Sequence, residues 1–279
     1  MLFASTALVG AEDPPPADVN FAPNPQAREV VRRVVANELR QEEIDNAQHY
    51  MFKLTRINQK GSRVQEIAQT DQGNIARTLL VDGQPLGSGD RQAEQQKLEN
   101  LLRDQDLQRK RMKQAKDDAQ RAEIMVKALP NAFYYEEIGR EGDIVKFRFR
   151  PDPNYDPQSR EESVYTGMAG ELWLDVAQNR LRKIDAHLFH DVDFGWGILG
   201  RLYKGGSFMV EQKQVEGDHW DTVAMKLDLN GKALFFKSLI YKEQEYESDF
   251  HRLPDHITLA QGLEALDKET PEVAEKGGR

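Results

Sequence analysis

Val145-Lys146-Phe147-Arg148-Phe149 alternates apolar and charged side chains over five positions. A period of two belongs to a strand with one buried and one wet face, because successive side chains leave a pleated backbone on opposite sides. The stretch sits near the start of a segment, 130–250, in which nearly everything reads as antiparallel strands. Strand patterns follow at 162–168, 170–176, 180–194, 207–215, 220–229 and 233–246, with turn residues at Gln178-Asn179 and the strongest hairpin signal at Asn230-Gly231. With the strands that precede it, the meander reaches about eleven strands, too many to stay flat, so strong curl is expected.

Upstream, 90–129 has a different character. It holds ten basic and eight acidic residues and no Gly or Pro until Pro130. Met112, Ala115, Ala119, Ala122, Val126 and Leu129 recur at steps of three and four, which predicts a helical seam facing another surface. Gln105 and Gln108 interrupt the apolar pattern, so the segment is one long helix or two in series. The basic run Arg109-Lys110-Arg111-Met112-Lys113 is flanked at helical spacing by Asp104, Asp106, Asp117 and Asp118, and reads as a solvated, ion-paired face.

Further upstream, 49–57, 63–70 and 75–81 read as three short strands. Gln59-Lys60-Gly61-Ser62 and Asp71-Gln72-Gly73-Asn74 separate them, so they must be antiparallel neighbours. Before these, 24–47 reads as an amphipathic helix: Pro25 suits a first turn, and Val30, Val31, Val34, Val35 and Leu39 form an aliphatic stripe. Residues 1–11 are apolar and small, with Val9 and Ala11 placed as at a signal-peptidase site, and read as the remnant of a signal peptide. Export to the periplasm of a Gram-negative cell is the expected location. The domain reading is thus 1–11 leader, 12–253 a single domain with a helical insertion at 90–129, and 254–279 a tail with one weak helix at 259–266.

Composition narrows the function. With 38 basic and 47 acidic residues the formal charge is −9, which argues against a chain built to coat nucleic acid or an anionic membrane. No run of eighteen apolar residues occurs, so no transmembrane segment is expected. The chain has no cysteine, which excludes disulfides, thiolate catalysis, Cys-type metal sites and lipid attachment through Cys.

Motifs for chemistry fail one by one. Gly195-Trp196-Gly197-Ile198-Leu199-Gly200 has the letters of a dinucleotide loop, but Gly205-Gly206 follows too soon for the helix that loop must open. Asp152-Pro153-Asn154-Tyr155-Asp156 starts like a calcium loop, yet Pro157 and Ser163 stand where Gly and Glu are required. His187 and His190 would lie on opposite faces of a strand, and their neighbours Asp191 and Asp193 supply too few further ligands for a metal. No nucleophile elbow is present, and no metal, cofactor or enzyme activity is expected.

A helix, short hairpins, a helical segment ending near Pro130 and a meander through Gly170-Glu171-Leu172-Trp173-Leu174-Asp175 together resemble the LolA/LolB-like superfamily of lipoprotein carriers. The resemblance is one of layout and covers about residues 25–250. It implies an α+β fold: a curled antiparallel meander, an incomplete β-barrel, with helices over its concave face. It also implies an exported carrier of lipid or lipoprotein acyl chains. Phe147, Phe149, Leu172, Leu174, Ile184, Leu188, Phe208, Val210, Met225 and Leu227 would line the concave wall, and Val31, Val34, Val35 and Leu39 would face it from a lid helix. The alternative is an envelope protein with a filled core that docks a protein partner through 90–129 and takes no small molecule.

Overall fold

The computed structural model describes residues 22–45, 48–194, 200–233 and 237–269. The leader reading at 1–11, residues 195–199 of the glycine string, Phe235 and Phe236 lie outside the described residues. The chain opens with α1 (Pro25–Asp45), followed by β1 (Tyr50–Asn58), β2 (Gly61–Ala68), β3 (Ile75–Val81) and the two-residue β4 (Gln84–Pro85). Two helices, α2 (Ser88–Arg103) and α3 (Gln105–Ala132), lead to β5 (Phe133–Glu141) and β6 (Ile144–Pro151). A helical turn, α4 (Arg160–Ser163), precedes β7 (Met168–Asp175), β8 (Arg180–Leu188), β9 (Val192–Phe194) and β10 (Gly200–Leu202). Then come β11 (Ser207–Glu216), β12 (His219–Ala233), β13 (Lys237–Arg252) and α5 (Leu259–Glu269).

The fold is α+β, as expected. Among the described residues thirteen strands form one antiparallel sheet whose main path runs β4-β3-β2-β1-β13-β12-β11-β8-β7-β6-β5, with β9 and β10 attached at β12. The edge strands β4 and β5 do not pair, so the sheet is open rather than a closed barrel. The first three strands join the rest through the pairing of β1 with β13. Tight turns set the register: Asn58 faces Gly61 across a two-residue loop, and Asp82 and Gly83 both take positive φ, the twist that suits a hairpin.

Helices α2 and α3 carry the chain from one sheet edge to the other. The break between them falls at Asp104, whose carboxylate accepts the Leu107 amide N–H at 2.9 Å and caps α3. The Arg111 side chain donates to the Asn74 carbonyl near the β2–β3 turn, while Leu129 and Ala132 are buried at the β5 end. Between those anchors the expected seam is not buried by the described residues: Met112, Ala115, Ala119 and Ala122 are exposed. Ion pairs along the helix, Arg109–Asp106, Lys113–Asp117 and Arg121–Asp118, suit that solvated span. The helix also runs past Pro130, and nearby carbonyls find side-chain donors, with Tyr165 donating to Met125 at 2.8 Å and Tyr135 to Leu129 at 2.6 Å.

Three further details differ from the sequence reading. Of residues 162–168, read as a strand, 162–167 form the end of α4 and a 3₁₀ turn and only Met168 is in a strand, because Ser159 caps the Glu162 amide and starts a helical turn. Asn230 and Gly231 do not turn; they pair with Ile240 and Leu239 within the β12–β13 ladder, near its loop end. The helix expected at 259–266 forms as α5, but in place of a loose tail element it buries Leu259, Leu263 and Leu266 against Met51, Ala68 and Ile75.

Helices lie on both faces of the sheet. Helix α1 and the end of α3 pack over β5–β8 in the main core, which contains Val31, Val34, Val35, Phe133, Phe147 and Leu172. Helices α2 and α5 pack on the opposite face of the β1–β3 arm. The outer face of β6–β8 stays wet, where Lys146 and Lys183 flank the Trp173 ring at 4.2 and 5.1 Å from its centroid.

Candidate functional site

Cross-strand partners in an antiparallel sheet project to the same face. Phe147, Leu172, Ile184, Val210 and Met225 are successive partners through β6, β7, β8, β11 and β12. Phe149, Gly170, Ala186, Phe208 and Leu227 form the adjoining row. Leu174 and Leu188 continue the same faces of β7 and β8 opposite Val145 and Met168. The ten wall residues named from the sequence therefore share one face of the sheet.

Burial divides them. Phe147, Phe149, Leu172, Leu174, Ile184 and Leu188 are buried beneath α1 and α3 in a packed core, so that part of the wall is filled by protein. Aromatic side chains complete the packing: Phe133 meets Phe149 edge-on at 4.7 Å and Tyr165 at 4.9 Å. Phe208, Val210, Met225 and Leu227 are only half-buried. Among the described residues the principal helix–sheet contacts are α1 with β5 and β8, α3 with β5, α2 with β3, α4 with β9, and α5 with β2 and β3, and none of these reaches β11–β13. The result is an apolar trough on the central strands, continuous with the core on one side.

The lid residues are placed as the amphipathic pattern requires. Val31, Val34 and Val35 are buried in the main core and Leu39 packs half-buried against it. Two ion pairs fasten this helix, Arg28–Asp152 at 2.9 Å and Glu38–Arg180 at 3.0 Å. Asp152, first met in the calcium-like string, thus ties a loop to the helix and also accepts the Asn154 amide at 2.9 Å.

On its other side the trough meets a row of carboxylates that the sequence reading missed. Glu243 pairs with Leu227 and Glu245 with Met225, and Glu247, half-buried, lies opposite Leu54 on β1. Arg56 bridges Glu243 at 3.8 Å and Glu245 at 2.5 Å. Burial pushes the Glu247 carboxyl up to about 8, and the negative charges of Asp221 and Glu245 add to the shift. The alternation Glu243, Glu245, Glu247 was visible in the sequence, but which apolar row it would border depends on the register of β12 against β13. Beyond it, Tyr50, Phe52, Leu54, Ile67 and Phe250 form a separate apolar cluster.

A concavity of about 600 Å³ lies where β1, β11, β12 and β13 meet, with a mixed lining. Gln41, Gln48, Tyr50, Glu216, His219 and Arg252 line it, and the Tyr50 and His219 rings stack at 3.9 Å. Asp221 Oδ2 lies 3.3 Å from His219 Nε2.

The histidines weighed for metal or catalysis are separated. His187 sits half-buried on the outward face of β8, where burial lowers its pKa, while His190 lies exposed beyond the strand with its Nδ1 2.7 Å from the Asp191 carbonyl. Asp191 and Asp193 are engaged by Arg201, and Asp191 also accepts the Lys204 amide at 2.8 Å. Gly200 starts β10, a strand, where a dinucleotide loop would need a helix. Among the described residues no helix is long and apolar enough to cross a membrane. No family model, curated protein or solved structure matches this chain.

Proposed function

We propose that the protein is an exported, periplasmic carrier that binds acyl chains of lipids or lipoproteins in the trough over Phe208, Val210, Met225 and Leu227. The carrying observation is the burial break along one register row. Ile184 lies in the packed core, whereas Val210 and Met225, its successors in the row, are half-buried on strands beyond the principal helix contacts. A sheet exposing such a face ordinarily gains a covering layer. Each methylene buried there contributes about 0.8 kcal/mol, so even a partly covered chain would be held. Displacement of α1, hinged between its two ion pairs, would lengthen the trough toward Ile184 and Leu172. The superfamily resemblance points the same way, toward a carrier with a concave apolar wall and a helix over it.

The test is lipid mass spectrometry on organic extracts of protein purified without detergent, joined to titration with a fluorescent fatty acid. Near-stoichiometric lipid, and at least a tenfold loss of probe affinity in folded Met225→Asp, would support the carrier. An empty protein that ignores the probe would reject it.

The second reading, a protein partner docked through α2 and α3, draws on the exposed Leu107 and Met112 of that span, 38% and 43% accessible.

A further inference from the structure

The end of the β12–β13 hairpin differs from the rest of the surface. Leu239, Ile240 and Tyr241 are 40%, 57% and 43% exposed in three consecutive positions. Leu239 and Tyr241 pair with Gly231 and Leu229 and share the trough's face, whereas Ile240 pairs with Asn230 and projects from the other face. Apolar side chains therefore leave this hairpin on both sides. The short hairpin β9–β10 is stitched to the same corner through Gly200–Ala233, Arg201–Lys232 and Leu202–Gly231.

The charge of this corner opposes that of the chain. Segments 200–206 and 230–242 contain Arg201, Lys204, Lys232, Lys237 and Lys242 and no Asp or Glu, in a protein of formal charge −9. Arg201 and Lys242 are ion-paired with Asp193, Asp191 and Asp228, and Glu243 accepts from the Tyr241 hydroxyl at 2.9 Å, so the five cations outnumber these four carboxylates by one. The net charge argued against an anionic membrane for the chain as a whole, but a local patch is governed by the charges within about 10 Å, the screening length at 0.1 M salt.

We propose that this corner inserts into the interface of an anionic lipid bilayer, with Leu239, Ile240 and Tyr241 entering the acyl boundary and the surrounding cations meeting headgroups. A protein partner would cover one side of the hairpin and leave Ile240 or its neighbours wet, whereas a lipid medium accepts apolar groups from both sides. Tyrosine at the boundary of an apolar tip and a basic collar fits a bilayer interface, where an amphipathic ring can place its hydroxyl at headgroup level. The site is distinct from the trough and does not require that the trough bind acyl chains.

The experiment is co-sedimentation of the full chain with vesicles of phosphatidylethanolamine and phosphatidylglycerol, against vesicles of phosphatidylcholine. The expected result is binding to the anionic vesicles that weakens with added salt. Ile240→Asp and Leu239→Asp should each reduce it by more than about tenfold without changing the melting temperature, since both side chains are already exposed. Lys232→Glu should reduce it about fivefold or more, the effect of one cation at an anionic surface. Met225→Asp, in the trough, should bind vesicles as the wild type does, so failure of the carrier reading leaves this result intact. Wild-type protein that stays in the supernatant, or an Ile240→Asp variant that still sediments, would overturn the proposal. So would a dimer in sedimentation velocity without vesicles that Ile240→Asp converts to monomer, because the corner would then be a self-association surface.

Discussion

Glu38 of α1 reaches Arg180 of β8 across 142 residues of sequence, 3.0 Å apart, with side chains only 14% and 8% exposed. The same carboxylate accepts the Leu181 amide N–H at 2.6 Å, so one side chain fixes the helix to both the backbone and a guanidinium of the sheet. Glu38→Ala would leave Arg180 buried without its counter-charge, and removal of one partner from a buried pair costs about 3–5 kcal/mol. Urea denaturation should show the lowered midpoint, and Arg180→Met added to Glu38→Ala should recover much of it. A Glu38→Ala midpoint equal to the wild type would mean that α1 is not held here.

Phe147 and Met225 stand in the same register row but play different parts. Phe147 is 2% exposed within the packed core, so Phe147→Ala should cost about 3–5 kcal/mol and Phe147→Asp should yield no folded protein. Met225 is half-buried on the open trough, and Met225→Ala should cost less than half as much. Chemical denaturation of the two alanine variants checks this. Equal losses would mean that the trough is packed as tightly as the core.

That contrast also marks what the sequence could disclose. Alternation such as Val145-Lys146-Phe147-Arg148-Phe149 assigns a face to each residue, and a slip of one position would drive charges into the core. The common face of the wall and the inward stripe of α1 were legible for that reason. The extent of helix cover was not, because nothing local to Phe208 or Met225 records whether a helix passes above them. The Met112–Ala122 spacing misled in the opposite sense: it has helical period, but the span crosses solvent between two anchors. The carboxylate row of β13 stayed hidden because its position beside Leu227 and Met225 depends on long-range pairing.

Asn230-Gly231 failed as a turn for a reason that can be tested. A Cβ at Gly231 would lie 2.3 Å from the Arg201 carbonyl oxygen, so this glycine serves the close approach of β10 to β12. Gly231→Ala should push β10 away and destabilise the protein by more than about 1 kcal/mol, a cost typical of overpacking. Faster amide exchange at Leu202 and Tyr203 would locate the damage, since Tyr203 N–H donates to the Asn230 carbonyl at 2.8 Å. Unchanged exchange at both amides would reject the packing role.

Glu247 links the carboxylate row to pH. Its folded-state pKa of about 8 lies above the ordinary 4.5, first because burial disfavours the charged form and then because Asp221 and Glu245 repel it. Between those two values the folded protein holds a proton that the unfolded chain has released, so stability falls as pH rises across the window. The contribution is complete below about 4.5 and is lost by the time pH passes about 8. Glu247→Gln keeps the neutral shape at every pH. It should match the wild type near pH 5, exceed it in melting temperature at pH 8, and flatten the profile between. Parallel melting curves for the two proteins from pH 5 to pH 8 would show that Glu247 titrates normally, and the desolvated setting between Leu54 and the acidic row would have to be abandoned.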